Sequence, residues 1–152
     1  VERLSRDARI TNIYEGTTQL QVVAAIPRIT SGLFRDMVTE LLSSEELKSL
    51  EITKQILESV GKVMKSVEII KVNPDKDLLD YSANYFVEAA SILYRMALFV
   101  PVAHKHEEKQ ELFRYFTHKS FNRINYLLSL VESLNATYGN SIETLKKPFL
   151  KP

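Results

Sequence analysis

Apolar residues recur at three- and four-residue spacing along most of this chain, and few Gly or Pro interrupt them, which is the pattern of long helices joined by short turns. From Glu45 to Val72, Leu47, Leu50, Leu57, Val60, Met64 and Val67 form one stripe, widened by Ile52, Ile56, Val63 and Ile70. A face this broad suits the core of a bundle. Ser43 stands three residues before Glu46, the spacing at which a cap hydroxyl and a returning carboxylate satisfy free backbone amides, so the helix is expected to start there. Its end is expected near Val72, because Pro74 disfavours helical geometry at Asn73 and brings no amide hydrogen. Asn73-Pro74-Asp75 then makes the turn.

A second long helix is predicted from Asp77 to Val100, with Leu78, Tyr81, Tyr85, Ala89, Ile92, Met96 and Phe99 inward and Pro101 kinking or ending it. The polar run from His104 to Glu108 caps the corner. A third is predicted from Glu107 to Leu134, with Leu112, Phe113, Phe116, Ile124, Leu127, Leu128, Val131 and Leu134 apolar, before Gly139 breaks the pattern. Ser141 would cap a short helix ended by Pro148. Ahead of these, Thr17 to Ile26 reads as a short amphipathic helix interrupted by Pro27, and Leu33 to Leu42 as another, with Leu33, Phe34, Met37, Leu41 and Leu42 apolar. The fold class is therefore all-α, an up-and-down helical bundle of three long helices plus one or two short ones. No repeat or low-complexity segment points elsewhere.

Composition narrows the chemistry. With 152 residues, 45% of them hydrophobic, the chain has material for one domain with a real core. Lys and Arg total 20 against 19 Asp and Glu, a net charge of +1 with no basic face, so a nucleic-acid partner is not expected. There is no Cys, which excludes disulfides, thiolate metal sites and a cysteine nucleophile and fits a cytoplasmic protein. The stretch from Tyr85 to Ala103 is strongly apolar, but Glu88, Arg95 and Pro101 interrupt it, so a buried helix is expected there and no transmembrane segment. The amino-terminal residues, Val1 to Asp7, carry neither an initiator Met nor a signal-peptide pattern, and the chain reads as a piece of a longer protein.

One segment departs from the helical pattern. The run from Arg6 to Gln21, RDARITNIYEGTTQLQ, contains Tyr14-Glu15-Gly16-Thr17 and resembles the catalytic-base segment of the acyl-CoA dehydrogenase family, with the likeness dense from Leu4 to Val23. In that family an Arg-Asp-Ala run leads into a loop bearing Tyr-Glu-Gly-Thr, and a helix follows. The resemblance implies α,β-dehydrogenation of a fatty acyl-CoA thioester, with Glu15 as the base that removes the α-proton while the β-hydrogen leaves as hydride to FAD. An α-proton of a thioester is weakly acidic, so such a site must raise the carboxylate's basicity by desolvation and stabilise the developing enolate. By the family's pattern, Gly16 lets the chain turn beneath the substrate, Tyr14 lines the acyl pocket, and Thr17 and Gln19 contact FAD. An electron-transfer acceptor and a homo-oligomeric parent enzyme are also implied.

The resemblance divides the chain at residue 30. Residues 1–30 would be the end of the catalytic helical domain, and residues 31–152 a helical-bundle extension like those of some bacterial and very-long-chain members. Hydride transfer needs a flavin cradled by other domains, so the chain alone is expected to be inactive. Taken without its flanks, Glu15 is only an acid near a helix start, where the dipole would lower its pKa and weaken it as a base. A rival reading of the whole is a helical interaction or oligomerisation module without a catalytic role of its own. His104 and His106 sit two apart, a spacing that separates them around a helix, so no metal site is expected. Glu88 and Arg95 read as structural charges meeting neighbours across the bundle, and Tyr81, Tyr85, Tyr94 and Tyr115 as core or boundary residues.

Overall fold

The computed structural model describes residues 18–74 and 77–146, with side chains over 21–74 and 77–137. Among the described residues there is no strand, and the helices are α1 (Thr18–Thr30), α2 (Leu33–Leu41), α3 (Glu45–Lys48), α4 (Glu51–Lys71), α5 (Asp77–Lys105) and α6 (Glu107–Lys146). The expected all-α bundle is what forms. The three long helices α4, α5 and α6 run up, down and up, joined by connections too short for anything but antiparallel neighbours. Ring contact between Phe99 and Phe113, at 5.1 Å, closes one end of the α5–α6 pair. At the other end Asn73 Nδ2 donates to Asn135 Oδ1 at 2.9 Å, so α6 continues well past the α4–α5 turn.

The middle of the bundle is α5, which packs against α1, α2, α4 and α6. Its sequence explains this position. Leu78, Phe86, Leu93, Met96 and Val100 are buried along one side, and Ala83, Ala90 and Ala97, seven apart, are buried beside them, so neighbours can approach closely on a wide arc. Among the described residues α5 is also the one helix whose length and composition would suit a membrane span, and 50% of its most apolar window is buried in the bundle. A buried leucine such as Leu93 contributes roughly 2 kcal/mol, so this face, more than intrinsic helix propensity, holds the fold together.

Several boundaries differ from expectation. The helix expected over Glu45–Val72 is two helices, because Leu50 is extended (φ −70°, ψ 134°) and Ser49 Oγ donates to the Glu46 carbonyl, offering the backbone an alternative to continuing. Ser44, not Ser43, is the cap: its hydroxyl accepts from the Leu47 amide at 3.3 Å. The break also sets the phase of α4. Ile56, Val60, Val63, Val67 and Ile70 form the buried centre, while Leu57 and Met64 sit half-buried at its flank.

Neither proline ends its helix. α1 runs through Pro27 to Thr30, and α5 through Pro101 to Lys105. Each ring removes one backbone hydrogen bond, but burial on both sides offsets the loss, with Ile29 buried after Pro27 and Val100 and Ala103 flanking Pro101. Gly139 does not break α6, and Ser141 starts no separate helix, since a helical Gly costs only about 1 kcal/mol relative to Ala and no proline falls between Glu107 and Lys146; Pro148, expected to end the helix, lies outside the described residues. Tyr81, expected inward, is 55% exposed, and Leu112, one of the apolar residues of the third helix, is 57% exposed. Gly32, with φ 88°, makes the reversal between α1 and α2, its amide donating to the Ile29 carbonyl.

Candidate functional site

Tyr14, Glu15, Gly16 and Thr17 lie outside the described residues. Gln19 stands in the first turn of α1, its side chain likewise outside the described ones. Among the described residues, Thr18–Thr30 are helical, as expected for the stretch that follows Tyr14-Glu15-Gly16-Thr17 in the sequence. Its amphipathic face is clear. Val22 and Ile29 are buried, Ile26 packs against the core, and Val23 is 58% exposed on the other side. α1 itself is thereby tied to the bundle, since Ile29 belongs to the same core as α4 and α5.

Two concavities lie among the described side chains, both near the α5–α6 corner. The first, about 270 Å³, opens between the start of α4 and that corner; Leu50, Ile52, Val100, Ala103 and Phe113 make its apolar floor, and His104, Gln110 and Arg114 its polar rim. The second, about 560 Å³, is a shallow groove along the α5–α6 seam, lined by Arg95, Leu98, Phe99, Val102, Leu112 and Phe116. No residue of α1 lines either one, and no described carboxylate does. The first therefore pairs an apolar floor with one imidazole and one guanidinium, and the second is apolar but for Arg95.

The titratable side chains singled out in the sequence do not converge. His104 Nε2 lies 3.3 Å from Glu46 Oε1 on α3, whereas His106 Nδ1 lies 3.4 Å from Glu108 Oε1 on α6, so the two imidazoles face different carboxylates. His118 is exposed on α6. Glu88 does meet a neighbour across the bundle, Arg123 of α6. Arg95 does not; its Nε donates to the Ser91 carbonyl of its own helix at 3.3 Å. Tyr85 and Tyr94 are boundary residues packed against the core, while Tyr115 is 63% exposed beneath the Lys119 ammonium.

The apolar seam is the feature that sequence reasoning missed. From Ile92 to Ala103 α5 is apolar almost all the way round, more than one buried face requires, and that surplus was the available signal. Leu98 and Val102 are the residues it leaves outside, 44% and 43% exposed. Compared with known proteins, the chain matches no family model, no curated protein and no solved structure.

Proposed function

We propose that this chain is the carboxyl-terminal helical part of a flavin-dependent acyl-CoA dehydrogenase, in which Glu15 removes the α-proton of an acyl-CoA thioester. The observation that carries the reading is the run from Arg6 to Gln21 in the sequence, which contains Tyr14-Glu15-Gly16-Thr17 and is followed by residues described as helix over Thr18–Thr30. On this reading residues 1–30 end the catalytic domain and residues 31–152 are an extension of a cytoplasmic enzyme that passes electrons to a separate acceptor. FAD supplies the hydride acceptor when bound. Hydride transfer needs a flavin cradled by other domains, so the remainder of the parent enzyme would hold it, with Thr17 and Gln19 touching it from this side. The chain by itself is inactive.

The full-length protein should purify yellow and reduce an artificial electron acceptor in the presence of an acyl-CoA. Glu15→Gln should retain FAD and lose turnover by several orders of magnitude, as expected when the only proton acceptor is removed. Wild-type turnover in that variant would overturn the assignment. The exposed seam of Leu98, Val102 and Leu112 favours a second reading, a helical interaction module with no catalytic role of its own. The two readings part on turnover, because Glu15→Gln leaves assembly unchanged under both.

A further inference from the structure

The smaller concavity, about 270 Å³, lies where three elements leave a gap. Leu50 is extended (φ −70°, ψ 134°) and breaks the helical run between α3 and α4, and the α5 residues that line the gap, Val100 and Ala103, are short. Phe113 of α6 completes the apolar floor, its ring edge-on to Phe99 with centroids 5.1 Å apart. Leu50 and Ile52 form a wall that is only half-buried, so apolar surface there is still left to cover. A dry apolar cavity of roughly 150 Å³ takes a benzene molecule, so this one has room for a single ring and a polar substituent.

The rim is polar and carries an unanswered charge. Gln110 and Arg114 stand four residues apart on α6, the spacing that puts two side chains on one face, and His104 joins them from the end of α5. Arg35 and Arg123 hold Asp36 and Glu88, but the Arg114 guanidinium meets no carboxylate among the described residues, not even Glu111 three residues before it. The Glu46 carboxylate does not line the cavity, and His104 Nε2 lies 3.3 Å from its Oε1. An apolar floor beside one unpaired guanidinium and one carboxamide is a recognition surface with a definite chemistry.

We propose that this cavity binds a small monocarboxylate with a compact apolar body, of the size of an arylacetic acid. The body covers Leu50, Ile52 and Phe113, and the carboxylate pairs with the Arg114 guanidinium, whose planar fork matches its two oxygens. The Gln110 carboxamide supplies a further donor. Neither half of such a ligand suffices alone. A neutral ring gains the apolar contact without the charge-assisted pair, and acetate gains the pair without covering the wall. Inorganic phosphate brings no apolar body and more charge than one guanidinium answers. This inference does not rest on the flavin reading and stands or falls separately from it.

The whole 152-residue chain is titrated with phenylacetate and followed by amide NMR shifts at constant ionic strength. Phenylacetate should shift the amides of Leu50, Ile52, Ala103, Gln110 and Arg114 saturably. Phenylacetamide, its neutral counterpart, should bind at least about tenfold more weakly, and acetate should give no saturable shift. Arg114→Gln, at an exposed position, should weaken phenylacetate by about tenfold or more and leave phenylacetamide unchanged. Ala103→Leu should fill the floor and abolish binding of both. Circular dichroism checks that each variant keeps its helices; should the leucine variant lose them, Arg114→Gln and the phenylacetamide comparison decide. No saturable shift with phenylacetate, shifts confined to other residues, equal binding of phenylacetamide, or an Arg114→Gln variant that binds phenylacetate as wild type does would each overturn the proposal.

Discussion

Arg123 of α6 holds Glu88 of α5 with both arms of its guanidinium, Nε donating to Oε1 at 2.7 Å and Nη2 to Oε2 at 3.0 Å. The fork ties the two longest helices near mid-length, and Tyr126, one turn on, lies under the same guanidinium at 5.4 Å. The hydrogen bond to Glu88 raises the Arg123 pKa above its ordinary value, in keeping with a guanidinium whose charged form the carboxylate favours. Both side chains remain partly in water, 47% and 35% exposed, which limits what the bridge contributes.

Arg123→Lys keeps the charge and loses the fork, and it should lower the melting temperature by ~1–3 °C, nearly as much as Arg123→Ala, because the bidentate geometry matters more than the charge. Glu88→Gln combined with either variant should add little. A differential scanning series on the four proteins checks this; a lysine variant as stable as wild type would show the fork to be dispensable.

Two glycines should respond to alanine with opposite sign. Gly32 sits at φ 88°, where an L side chain is strained, although an added Cβ would meet nothing closer than Arg35 Nη2 at 3.5 Å. The cost of Gly32→Ala is therefore backbone strain alone, about 1 kcal/mol. Gly61 lies inside α4 with ordinary helical geometry and open space where a Cβ would go, so Gly61→Ala should stabilise by about 0.5–1 kcal/mol. Urea unfolding of the two variants against wild type gives both values.

The long helices were legible because apolar spacing reports a helical face whatever lies opposite it. What decided the details was tertiary. Pro27, Pro101 and Gly139 are local signals to stop, yet α1, α5 and α6 continue through them, in α1 and α5 because Ile29, Val100 and Ala103 bury well on either side. Ser49 and Leu50, which carry no strong stop signal, interrupt a helix that periodicity made continuous. Tyr81 and Leu112 fell on apolar faces and ended exposed, since periodicity says where a face points but not how much of it a neighbour covers. The Tyr14–Thr17 segment was legible as a likeness, and among its expected features the described residues speak to one, the helix from Thr18.

At the start of α3, the hydrogen bond and charge of Lys48, 2.8 Å from Glu45 Oε1, lower the Glu45 pKa below its ordinary 4.5. A depressed carboxylate pKa means that folding favours the ionised form. Its contribution is present above the unfolded value and lost as pH falls through the folded one, so the affected window lies below 4.5. A carboxyl-carbon NMR titration should place the Glu45 midpoint below 4.5, and Lys48→Met should move it upward. A midpoint unmoved by Lys48→Met would assign the shift to another group. Glu45 is fully solvated, so its effect on overall stability is expected to be small.

Two buried hydroxyls, Thr53 Oγ1 on α4 and Ser82 Oγ on α5, meet no hydrogen-bond partner among the described residues, although their residues are 1% and 0% exposed. Other hydroxyls in the same bundle do better: Ser59 Oγ donates to the Gln55 carbonyl at 2.9 Å, and Thr39 Oγ1 to the Arg35 carbonyl at 2.8 Å. Thr53 lacks that option because the residue four before it, Ser49, precedes the start of α4, and the Thr53 amide is already turned onto the Leu50 carbonyl. An unsatisfied buried hydroxyl costs on the order of 1–3 kcal/mol, and valine fills the same space without one. Thr53→Val should therefore stabilise the protein by about 1 kcal/mol, while Ser59→Ala, which removes a satisfied group, should be neutral or mildly destabilising. Chemical denaturation of both variants tests the contrast. Destabilisation by Thr53→Val would mean that the hydroxyl is bonded in solution, in which case its polar partner at the α3–α4 break would become the feature holding that break in place.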